Sequence, residues 1–76
     1  MKSDAVRSAI ADFKEAIEKT NTTSMEIYLK EDNSPIDVGA ESTCEVPFDK
    51  NVLIISDEDT SFYVDCDLIN TIQIWK

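Results

Sequence analysis

The apolar residues of this chain change their spacing once, near residue 20, and the change divides it into two kinds of structure. Before it, Val6, Ile10, Phe13 and Ile17 recur at intervals of four, three and four, and Ala9 and Ala16 widen the same face. That is the period of an amphipathic helix. Ser3 and Asp4 form a start signal, with a carboxylate in the first turn to complement the helix dipole. Arg7, Asp12, Lys14, Glu15, Glu18 and Lys19 fall mostly on the other side, with Glu15 and Lys19 spaced to pair. Thr20-Asn21-Thr22-Thr23 has low helix propensity, so the helix is expected over residues 3–20.

Beyond that point the period is two. Met25, Ile27 and Leu29 alternate with Glu26, Tyr28 and Lys30, the pattern of a half-buried strand. Glu31-Asp32-Asn33-Ser34-Pro35 is turn chemistry. Ile36 and Val38 alternate again before the only glycine, Gly39, which marks a bulge or sharp bend. Cys44 and Val46 resume the alternation until Pro47. Asp49-Lys50-Asn51 is a second turn, and Val52-Leu53-Ile54-Ile55 reads as a central strand buried on both faces. Asp57-Glu58-Asp59-Thr60 leads into Ser61-Phe62-Tyr63-Val64. Asp67 is placed to cap one short turn through Leu68-Ile69-Asn70, and Thr71-Ile72-Gln73-Ile74-Trp75 is a last alternating strand.

One helix followed by about five short strands, over residues 24–76, predicts a single domain of mostly β α+β class. Short strands leave open edges unless the sheet curls on itself. The expected architecture is therefore an N-terminal helix on a five-stranded SH3-like or Sm-like small barrel, or a strongly bent antiparallel sheet, with Gly39 and Pro47 turning the corners.

Charge follows the same division. Residues 1–20 hold four acids and four bases, while residues 21–76 hold twelve acids and three bases, so the net charge of −9 lies on the strand-forming part. A surface of that sign repels phosphates and attracts basic protein surfaces. At 76 residues the core is near the lower limit for a self-sufficient domain, which makes oligomerisation an expected source of stability. Met1-Lys2-Ser3-Asp4 leads straight into a charged amphipathic stretch, and the longest apolar run, Val52–Ile55, is too short to span a bilayer. The expectation is a cytoplasmic protein without membrane contact. Cys44 and Cys66 stand 22 positions apart in a chain with no histidine, which supplies no zinc site and reads as two small core residues.

From Met25-Glu26-Ile27-Tyr28-Leu29, through the apolar strand Val52–Ile55 and the polar hairpin, to Tyr63-Val64-Asp65-Cys66-Asp67-Leu68-Ile69-Asn70-Thr71-Ile72, the layout resembles the Sm-like family, and within it the Hfq-like RNA chaperones. Ile69-Asn70-Thr71-Ile72 is similar to the closing motif of that group. The resemblance implies a ring in which Ser61–Val64 of one copy pairs with Thr71–Trp75 of the next. It does not extend to RNA binding. Cys66 and Asp67 stand where the motif has its lysine and histidine, and acids there repel a phosphate backbone.

No other motif carries chemistry. A calcium loop beginning at Asp57 needs glycine at its sixth place and glutamate at its twelfth, where the chain has Phe62 and Leu68. Neither cysteine has an indicated activating base, and no nucleophile, acid or base shows a catalytic spacing. The expectation is no enzyme, no cofactor and no metal. The leading reading is an acidic binding module that assembles with itself, with Phe62, Val64, Ile72 and Ile74 as interface candidates. Asp57, Glu58, Asp59, Asp65, Asp67 and Trp75 are the candidates for meeting a partner, a basic protein and not nucleic acid. A second reading is an acidic inhibitor of the anti-restriction or anti-CRISPR type encoded by phages, whose carboxylates imitate phosphates.

Overall fold

The computed structural model describes residues 1–20, 23–31 and 34–75. Helix α1 runs Ser3–Thr20 and is followed by β1 Ser24–Leu29, β2 Ile36–Val38, β3 Thr43–Glu45, β4 Val52–Ser56 and β5 Ser61–Asp65. A 3-10 turn over Cys66–Leu68 then feeds β6, Ile69–Trp75. The helix forms as its spacing predicts, and Val6, Ile10, Phe13 and Ala16 are buried along one stripe. The Thr20 hydroxyl closes its last turn on the Ala16 carbonyl at 3.1 Å and meets the Thr23 hydroxyl at 2.6 Å, so the buried Thr23 side chain is satisfied.

The described strands form two separate antiparallel sheets of three strands each, in the orders β2-β1-β6 and β3-β4-β5. The five-stranded barrel expected from the sequence is thus corrected: there are six strands and no closed barrel among the described residues. The cause lies at Gly39–Ser42. Gly39 ends β2, a turn closed by Ser42 N–H donating to Gly39 O at 3.2 Å intervenes, and β3 restarts in the other sheet. A bend expected within one continuous strand is instead a break between two strands of three residues, too short to carry one sheet around a corner.

Register explains the burial. Met25 and Ile27 on β1 lie opposite Val38 and Ile36 on one side, and opposite Ile74 and Ile72 on the other. In the second sheet Ile55 lies between Cys44 and Phe62, and Leu53 faces Val64. The inward sides of both sheets and the helix stripe share one core, including Met25, Ile27, Val38, Leu53, Cys66 and Ile69. Helix α1 lies against β3, β6 and the 3-10 turn. Arg7 pins it further by donating to the carbonyls of Val46 and Pro47 at 3.2 and 3.0 Å.

Two smaller expectations are corrected as well. Strand β4 is central, but Leu53 and Ile55 are buried while Val52 and Ile54 are only half-buried, because the helix and the other sheet cover one face. The short turn sits at Cys66–Leu68, capped by Asp65, whose carboxylate accepts from Asp67 N–H at 2.9 Å. Ile69 already belongs to β6. Cys44 and Cys66 are free and buried.

Candidate functional site

Strands β5 and β6 are each the last strand of a sheet, and the side chains they present differ by face. On β5, Phe62 and Val64 share the inward side with Ile55 and Leu53, yet Phe62 is 53% exposed. On β6, Ile72 and Ile74 share the inward side with Ile27 and Met25 and are only partly buried. All four interface candidates therefore point towards the core side and are left half-covered at an open sheet edge. Phe62 and Val64 sit at one edge and Ile72 and Ile74 at another.

The backbone of β5 adds a second property. Cys66 N–H donates to Asn51 O and Asp57 N–H donates to Thr60 O, each at 3.0 Å. Antiparallel pairs alternate between bonded and non-bonded, so the main-chain groups of Phe62 and Val64 turn towards β4. Those of Ser61, Tyr63 and Asp65 turn to the open edge. The side chain of Tyr63 is 70% exposed on the outer face, opposite Ile54.

The carboxylate candidates separate into two groups. Asp57, Glu58 and Asp59 occupy the tip between β4 and β5, while Asp65 ends β5 and Asp67 lies just beyond it. Ser61–Val64 of β5 stand between them, about 13 Å of extended chain, so the five acids do not form one cluster. Asp57 is a structural residue of its turn: its carboxylate accepts from the N–H groups of Asp59 and Thr60 and from the Thr60 hydroxyl, at 3.0–3.2 Å. Those donors hold its pKa below the usual carboxylate range, the Thr60 N–H contributing most. Asp32, another acid of the strand-forming part, lies outside the described residues. Among the described residues no three His, Cys, Asp or Glu side chains come together to hold a metal ion. No described helix is long and apolar enough to cross a membrane.

Trp75 lies on the outer face of the first sheet with Thr71 and Gln73, as the alternation indicates. Its indole N–H donates to the Glu26 carboxylate, a contact across 49 positions of sequence. Glu26 stands between Gln73 on β6 and Asp37 on β2, and Tyr28 follows on the same face of β1. Desolvation, followed by the charge of Glu26, a hydrogen bond to its carboxylate and the charge of Asp37, pushes the Tyr28 hydroxyl pKa up. Sequence reasoning singled out Trp75 but missed Glu26, Tyr28 and Asp37. Alternation signalled the outer side for Glu26 and Tyr28, but only register brings Asp37 and Trp75 to them.

The cysteines show no activation. Burial pushes both thiols up, and for Cys66 the Asp65 charge acts in the same direction. A raised pKa lowers the thiolate fraction, which is the reactive form. The chain matches no protein-family model, no curated protein and no solved structure.

Proposed function

We propose that this protein is a non-enzymatic acidic binding module that assembles with copies of itself by pairing the β5 edge of one copy with the β6 edge of the next. One observation carries the reading: both edges end in apolar side chains that face the core and remain half-covered, Phe62 and Val64 on one, Ile72 and Ile74 on the other. Pairing the two edges satisfies the outward main-chain groups of Ser61, Tyr63 and Asp65 and extends the apolar layer across the junction. The two edges differ, so the contact is head-to-tail and generates a ring or a filament.

With a net charge of −9 the counterion-release contribution that drives nucleic-acid binding is absent, and the module takes neither duplex DNA nor uridine-rich RNA at physiological salt. The test of assembly is sedimentation velocity on the native chain and on Tyr63→Pro. Proline is tolerated on an edge strand where its missing N–H faced solvent, so an unassembled chain keeps its fold. The native chain is expected to sediment as a multimer and the variant as a single 8.6 kDa chain with an unchanged circular dichroism spectrum. A native chain that sediments singly across the concentration range refutes the proposal.

A further inference from the structure

We propose that the outer face of the β2-β1-β6 sheet is a docking surface for an arginine side chain of a basic protein partner, received between Tyr28 and Trp75 over the Glu26–Asp37 pair. Glu26 and Asp37 are directly opposite each other in the antiparallel ladder. Like charges in that arrangement weaken a sheet. Among the described residues the ion pairs are Arg7–Asp4 and Lys19–Glu15, both on the helix, and neither Glu26 nor Asp37 has a cationic partner. Among the described residues no ion pair balances these two carboxylates.

Aromatic rings flank the pair. Tyr28 lies two residues along β1 from Glu26 on one side, and Trp75, opposite Ser24, lies on the other. The Trp75 indole is tied to the Glu26 carboxylate through its N–H and stays half exposed. A guanidinium group suits this combination better than an ammonium, because its planar fork bonds carboxylates in pairs while its face stacks on an aromatic ring. Charge selects the occupant. A second copy of this chain offers a single arginine, Arg7, already engaged by Asp4 and the carbonyls of Val46 and Pro47, and an anionic lipid surface is repelled. The inference rests on the binding-module reading but not on edge pairing, since the face lies to one side of the strands and their edges run along another direction.

Trp75 is the only tryptophan, so its fluorescence reports on this face. The probes are acetylated, amidated tetra-arginine and tetra-lysine peptides, titrated into the native chain, into Glu26→Gln/Asp37→Asn and into Asp12→Asn/Glu18→Gln, whose two acids are exposed on the helix. Both double variants remove two charges. A saturable Trp75 signal is expected with the arginine peptide, bound more tightly than the lysine peptide. In Glu26→Gln/Asp37→Asn it is expected to weaken by about tenfold or more, while Asp12→Asn/Glu18→Gln stays within about twofold. The first variant also relieves the like-charge pair, so its melting temperature is expected to hold or rise, which separates lost binding from lost folding. Absence of a saturable signal, retention of it in Glu26→Gln/Asp37→Asn, or equal loss in both variants overturns the proposal. The same titration on Tyr63→Pro separates it from assembly, because a chain that no longer pairs edges still carries the face.

Discussion

Strands β1 and β5 have similar patterns and opposite fates. Ser24–Leu29 and Ser61–Asp65 both alternate apolar with polar residues, and both put their inward side chains against the same core. In β1, Met25 and Ile27 are fully buried, because β2 and β6 flank the strand and fill the space beside each side chain. In β5, Phe62 remains half exposed because a neighbour stands on one side only. Alternation decides which face a residue takes, and position in the sheet decides how much of that residue is covered.

The sharpest way to break this contrast is truncation on each strand. Ile27→Ala deletes a side chain with no exposed surface and is expected to cost about 2–5 kcal/mol, a large part of the stability of a small domain. Phe62→Ala removes a larger side chain but is expected to cost the single chain only about 1–2 kcal/mol, because half of the ring is already in water. Urea unfolding of both variants in the Tyr63→Pro background, where edge pairing is blocked, measures the two costs without assembly. Equal costs would remove the distinction between a flanked strand and an edge strand.

An intermediate effect is expected from alkaline pH, and it reports on the buried end of the comparison. Both thiols have pKa values raised by burial, so they stay protonated in the fold at a pH where the unfolded chain has released their protons. The folded state then binds more protons than the unfolded one. Stability is therefore complete below the unfolded thiol pKa of about 8.5 and falls as pH rises past it. Cys44→Ala/Cys66→Ala is expected to flatten that fall while lowering stability at neutral pH, as read by urea midpoints between pH 7 and 10. An unchanged alkaline slope in the double variant would assign the loss to other groups.

The smallest effect belongs to the exposed turn that opens β5. The Asp57 pKa is depressed by donors from Thr60 and Asp59, so its contribution is present above the unfolded carboxylate pKa of about 3.9. It fades as pH falls from there through the depressed value in the folded state. Asp57→Asn is expected to leave the fold intact and to weaken protection of the Thr60 amide at neutral pH, measured by hydrogen exchange. Identical Thr60 exchange in native and variant chains would show that the turn is held by the Asp57–Thr60 backbone bond alone.

Much of the molecule is legible residue by residue. The spacing of Val6, Ile10, Phe13 and Ile17 determines the helix and its buried side, and alternation determines that Met25 and Ile27 face in while Trp75 faces out. The neutral helix and the acidic strands are likewise properties of the sequence alone. These are local matters, because side-chain direction depends on backbone geometry over a few residues. Tertiary structure decided what remained. The break at Gly39–Ser42 divides the strands between two sheets, and which strands become edges depends on hydrogen bonds between distant segments. The meeting of Glu26, Asp37 and Trp75 on one face depends on the register of β1 with β2 and β6, and that pairing of separate segments is not encoded in the period of any one of them.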